Sequence, residues 1–228
     1  MRRDYILLKM DEFARTMANI TELKKEGKWD QAINIIGENL YRLLGMSSRD
    51  PREISKLTET GLLAQLIKNA PASTVWVPYN KIMLIALLKE AGDYTTNKFP
   101  PRGGRGWYLK ALHLLLDALA HDELRGQAAL VPQLEVFLTA LSGSPLPVRT
   151  RLLLMREYER RGRFAQAKGE LKAALEMVPK SLTLLKFGIA FCERLDSEND
   201  ASLVGGGMPR SELQALTSEL FTRKRMCS

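Results

Sequence analysis

The stretch Leu152–Pro179, LLLMREYERRGRFAQAKGELKAALEMVP, narrows the choice of fold more than any other in the chain. Leu152, Met155 and Tyr158 recur every third residue, with Leu153 and Leu154 widening the stripe. That is the helical period, not the alternation of a strand. Gly162 follows a charged run, where a helix C-terminus needs a residue tolerant of positive φ. Phe164, Ala167, Leu171, Ala174, Leu175 and Val178 then lay one face of a second helix against a neighbour. The short side chains of Ala167 and Ala174 let two helices approach closely. Pro179 has no N–H and biases its predecessor out of the helix, so the hairpin stops there.

Tyr158, Gly162, Phe164, Ala167, Ala174 and Pro179 stand in the order and spacing of the tetratricopeptide repeat, whose period is about 34 residues. The hairpin resembles that repeat, although Leu154-Met155 replaces its usual Leu-Gly pair. A second copy is expected over residues 13–44, where Gly27, Trp29 and Ala32 match Gly162, Phe164 and Ala167, with Asn39 in place of an Ala. Gly92, Tyr108 and Ala111 fit a third, degenerate copy. The matching positions Asn39, Ala111 and Ala174 lie 72 and then 63 residues apart, about twice the period, which leaves room for extra helices. From RRDYILLKMDEF through GKWDQAINII to YLKALHLLL the chain resembles a family of bacterial tetratricopeptide-like proteins with no established activity. The resemblance implies a fold and no reaction. The expected class is all-α: antiparallel helical hairpins stacked as a right-handed array of about nine or ten helices. The expected division is a helical domain over 1–195, a flexible linker over 196–208, and a short C-terminal helix with a basic tail over 209–228.

The totals agree with such a chain. Its 228 residues are 45% hydrophobic but only 7% aromatic, a helix-favouring balance. No apolar run approaches the ~18 residues of a membrane span, and Asp4, Lys9 and Asp11 interrupt any signal-peptide core. Two cysteines, Cys192 and Cys227, make no disulfide framework, so a cytoplasmic setting is expected. The net charge of +8 permits nucleic acid or an acidic protein as partner.

In chain order, residues 3–26 read as a helix with Ile6, Met10, Phe13, Met17 and Ile20 on a narrow seam, facing the core or pairing two copies of the chain. Asp50, Pro51 and Glu53 read as a capped start for one helix running to Asn69, interrupted only by Gly61. Ile82–Leu88 is apolar nearly all round, hence central. Residues 96–106, with two prolines and three glycines, read as a flexible loop. A shorter helix is expected over 127–142. Residues 181–195 resemble the first helix of a repeat that lacks its second, and 209–223 read as a detached amphipathic helix on Leu213, Leu216 and Leu220.

The strongest candidate surface is the concave face that first helices of such repeats present to a partner. The resemblance places Arg149, Arg156 and Arg160 there, with Lys186 and Arg194 from the next helix. Arginine donates paired hydrogen bonds to carboxylates, so the expected partner is another protein or peptide with an acidic segment. The alternative partner is nucleic acid, bound by Arg102, Arg105 and Trp107 of the Arg-Gly loop through charge and stacking. No membrane partner and no cofactor are expected. His113, Asp117 and His121 share a helix face, but the two histidines are ~12 Å apart by helical rise, too far for one metal ion. Nucleophile, metalloprotease and dinucleotide signatures are absent, so the expectation is a protein that is not an enzyme.

Overall fold

Helix-stop residues divide the chain much as its periodicity requires. The computed structural model describes residues 2–46, 51–70, 76–100, 103–124 and 131–227, and every regular element there is a helix. The helices are α1 (Arg2–Lys25), α2 (Trp29–Leu44), α3 (Pro51–Lys56), α4 (Glu59–Asn69), α5 (Trp76–Lys98), α6 (Arg105–Ala120), α7 (Leu134–Leu141), α8 (Val148–Arg160), α9 (Phe164–Met177), α10 (Leu182–Asp196), α11 (Asp200–Gly205) and α12 (Arg210–Cys227). The protein is therefore all-α. It forms two compact units, Met1–Pro145 and Leu146–Ser228, where the sequence suggests one domain reaching residue 195.

In the first unit, Gly27 adopts φ +75° and turns α1 into α2. Met10, Phe13 and Ile20 of the α1 seam are buried in the protein's own core. α2 packs on α5, and α5 pairs with α6. Ile82, Leu84, Ile85, Ala86, Leu87 and Leu88 of α5 are all buried, as a helix apolar on every side must be. The hairpin of α5 and α6 closes through glycine. A Cβ on Gly92 would lie 2.6 Å from the Tyr108 ring, so only a glycine admits the aromatic.

Three expectations in this unit need correction. The helix expected from Pro51 to Asn69 is two helices, because Thr58 leaves helical geometry and its side chain accepts a hydrogen bond from the Gly61 N–H at 3.1 Å. Gly61 thus sits in the first turn of α4, where its weakness as a helix former matters least. Trp76 begins α5 two residues before Pro78, which is tolerated in a first turn. The described part of 96–106 is not a flexible loop: α5 runs to Lys98, α6 starts at Arg105, and Gly103 and Gly104 are packed. A Cβ on Gly104 would fall 2.2 Å from the Gly92 carbonyl oxygen, and one on Gly103 would fall 2.2 Å from that of Thr95. These glycines are required by contact. The expected cap at Asp50, the stop at Pro71 and residues 127–130 lie outside the described residues; α7 begins at Leu134 and buries Phe137 and Leu141.

In the second unit, Gly162 takes φ +68° and joins α8 to α9. Leu154, Tyr158, Phe164, Ala167, Leu171 and Ala174 are buried, the pattern expected of the hairpin. Residues 196–228 depart from expectation. α12 is not detached: Leu213, Leu216 and Leu220 are buried, and α12 packs along α10. Gly188 of α10 lies against Leu220, and Cys192, one turn on, is close to Thr217, so the two helices run antiparallel. α12 thus supplies the second helix that α10 was expected to lack. Nor is 196–208 a plain linker, since it folds into α11 and buries Leu203 and Met208. Gly206 accepts a hydrogen bond from the Ala165 N–H at 2.9 Å and leaves no room for a side chain beside Phe164.

Candidate functional site

The predicted basic residues of the second unit occupy two helices. Arg149, Arg156 and Arg160 are exposed on α8, spaced seven and four, which puts them on one face. Lys186 and Arg194 are exposed on α10. The pairing of Arg151 with Glu170 at 2.9 Å sets α8 antiparallel to α9, and α10 turns back again. α8 and α10 therefore run in the same direction. Arg194 reaches across from α10 to grip Glu159 of α8 with both ends of its fork, Nε–Oε1 2.6 Å and Nη2–Oε2 2.9 Å. The Glu159 hydrogen bond and charge hold the Arg194 guanidinium above its ordinary range.

Arg160 is engaged differently. Its Nε and Nη2 each donate at 2.9 Å to Glu157, and Arg161 Nε donates to the same carboxylate at 2.6 Å. Glu157 is buried, so two arginines are needed to hold its charge. Arg160 and Arg194 both line an open depression with Glu159, Phe164, Ser197 and Ser202, at the end of the unit where α8 stops. Arg149 and Lys186 lie toward the opposite end, near the starts of α8 and α10. No hydrogen bond or ion pair to Arg156 or Lys186 is found among the described residues. The sequence could not have shown which arginines are already paired, because both acceptors, Glu157 and Glu159, read as exposed charges on a helix.

Arg105 and Trp107 of the Arg-Gly stretch are held in place. Arg105 Nη2 donates to the Pro145 carbonyl at 2.7 Å, and Trp107 is half-buried with Lys110 Nζ 5.7 Å from its ring centre. Arg102 lies outside the described residues. The three residues of the histidine face each have other work. His113 Nδ1 is 2.7 Å from Glu59, Asp117 accepts from Lys81 at 2.8 Å, and His121 Nδ1 is 2.8 Å from the Asp117 carbonyl. Among the described residues no group of three His, Cys, Asp or Glu side chains is placed to hold a metal ion.

Sequence reasoning missed two ionic clusters in the first unit. Lys24 of α1 meets Glu90 of α5 at 2.5 Å and also bonds Asp93. Lys89 donates to Glu90 and Asp93 at 2.9 Å each, and the Tyr108 hydroxyl donates to Asp93 at 2.9 Å. Burial pushes the Asp93 carboxyl up, but bonds from Lys24 and Lys89 outweigh it and hold it low. Burial pushes the Lys89 ammonium down, and the Glu90 charge with the Asp93 bond more than reverses that. Burial first, and then the Asp93 charge, pushes the Tyr108 hydroxyl up to about 12 against the pull of a Thr96 bond. The second cluster seats buried Lys81 between Asp117 and Glu123, at 2.8 and 2.5 Å. Both clusters balance charge within the packing of α1, α5 and α6. The Lys24–Glu90 spacing of 66 residues left no local pattern to read.

No helix among the described residues is long and apolar enough to cross a membrane. No family model, curated protein or solved structure matches the chain.

Proposed function

We propose that the chain is a tetratricopeptide-like, non-enzymatic interaction module of the bacterial cytoplasm that binds an acidic segment of a partner protein along α8 and α10. The observation carrying this reading is the Arg194–Glu159 grip, in which a carboxylate on one helix is held bidentately from the other. Along the same two helices stand Arg156 and Lys186, exposed and without such a carboxylate among the described residues. A partner's Asp or Glu side chains supply what is missing. Each exposed pair contributes only about 0–1 kcal/mol, so affinity comes from several carboxylates spaced along the two helices. Arg160 is a poorer anchor than its position suggested, because it already helps neutralise Glu157.

Arg156→Glu combined with Lys186→Glu is the discriminating variant, since neither side chain supports the core. The test is fluorescence anisotropy of a labelled Glu-rich peptide titrated with the full chain. The double variant is expected to bind about tenfold more weakly or worse, a loss of ~1.4 kcal/mol. Unchanged affinity at low salt would remove the proposal.

A further inference from the structure

The second unit carries another surface, made where three helix ends meet. Lys168 pairs with Glu212, and Lys172 lies 3.8 Å from Glu219, so α9 and α12 run in the same direction. α10 is antiparallel to both. The end of α9, the start of α10 and the end of α12 therefore share one end of the unit. That end exposes Met177, Val178, Leu182, Phe221 and Met226, from 39% for Leu182 to 75% for Met226. Single exposed apolar residues are ordinary on any surface, but five on three helix ends that share one end of the unit are not.

The charge there is one-sided. Residues 177–185 and 220–228 contain Lys180, Arg223, Lys224 and Arg225 and no acid. The carboxylates that adjoin these segments in the sequence are Glu176, exposed, and Glu219, which bonds Arg223 at 2.7 Å. Basic residues at a helix end complement the helix dipole, which accounts for Lys224 and Arg225 but not for the apolar side chains between them. Projecting apolar side chains within a basic ring suit a soft anionic surface: the apolar tips enter the boundary between headgroups and chains while the cations stay at headgroup level.

We propose that this end of the second unit docks on an anionic lipid surface, with Phe221, Met226, Met177 and Leu182 entering the interface and Lys180, Arg223 and Arg225 meeting the headgroups. This contact is peripheral and goes beyond the partner-binding reading of α8 and α10. It also departs from the expectation, drawn from the sequence, of no membrane partner. The attraction falls off within a Debye length, so it weakens as salt rises.

The test is co-sedimentation of the full chain with vesicles of phosphatidylcholine and phosphatidylglycerol, against vesicles of phosphatidylcholine alone. Binding is expected only to the anionic vesicles and is expected to fall with salt. Arg225→Gln should lower partitioning about fivefold. Phe221→Ser with Met226→Ser should lower it at least about threefold without changing the charge. All three side chains are exposed, and the circular dichroism melt of each variant verifies the fold. No binding at low salt, equal binding to neutral vesicles, or indifference to the Phe221 and Met226 changes would each overturn the proposal. Arg225→Gln weakening the binding of soluble polyglutamate while leaving vesicle binding unchanged would overturn it too, reassigning the patch to an acidic protein. Retention of vesicle binding by Arg156→Glu, a residue of α8 outside the patch, separates this result from the fate of the partner-binding reading.

Discussion

A glycine in a sequence carries two opposite meanings, and only contact tells them apart. Gly27 and Gly162 are turn glycines: both have positive φ, and no atom lies within 4 Å of where a Cβ would stand. Gly103 and Gly104 are packing glycines, pressed on backbone carbonyls that cannot retreat. The run PPRGGRGW looks mobile by composition, and the structure packs its Gly103 and Gly104 against α5. Gly104→Ala is therefore expected to destabilise the protein by about 3 kcal/mol, at the upper end of overpacking costs. Gly106→Ala, two residues on, meets nothing within 4 Å inside α6 and should stabilise by about 0.5–1 kcal/mol. Urea denaturation of the two variants reads opposite shifts in midpoint; equal shifts would mean the turn is not packed as described.

Tyr108 makes a second point at this scale. Its hydroxyl pKa, near 12, lies above its unfolded value, so the native state holds that proton more tightly. The resulting stability is intact below about pH 10 and is lost as pH rises through 12. Lys89, also raised, acts in the same direction. Asp93 is lowered, so its contribution is present above about pH 4 and is lost as pH falls through its folded pKa. Tyr108→Phe should cost about 1 kcal/mol near neutrality through the lost bond to Asp93. It should also delay the alkaline fall, seen in denaturation midpoints followed from pH 9 upward. An unchanged alkaline limb would exclude Tyr108 as its source.

At the scale of the element, the chain was most readable where period and punctuation agree. The α8–α9 hairpin, the α1–α2 turn and the central place of Ile82–Leu88 were all visible because burial of a helix stripe imprints a period. What failed had another cause. Thr58 splits the helix expected to reach Asn69 because its hydroxyl offers the backbone an alternative bond, a choice made within one turn. The glycines at 205–207 looked like a linker, yet Gly206 is closed in by Phe164, a neighbour 42 residues earlier in the chain. α12 looked detached because nothing local says that Leu220 meets Gly188. Leu220→Ala tests this element: burial against Gly188 and Leu171 predicts a loss of about 3 kcal/mol, whereas a detached helix would register almost none. A thermal melt of the full chain separates the two.

For the whole molecule, the all-α class was legible in composition and period, and the division at Pro145 was not. Ser144-Pro145-Leu146-Pro147 is too short to read as a linker, and units separate by where contacts are absent, which leaves no mark on a sequence. The candidate surface was legible in the same partial way. Exposure of Arg149, Arg156, Arg160, Lys186 and Arg194 follows from their helix faces. The pairing that occupies Arg160 and Arg194, and sets Arg156 and Lys186 apart, depends on carboxylates whose burial only the folded unit reveals. The reading that follows is of a module whose function resides in its surface charge. Affinity capture of partners from the native cell, comparing the wild-type chain with the folded Arg156→Glu, Lys186→Glu variant by mass spectrometry, tests it most directly. The account predicts an acidic protein retained by the first and lost from the second; identical sets of partners would contradict it.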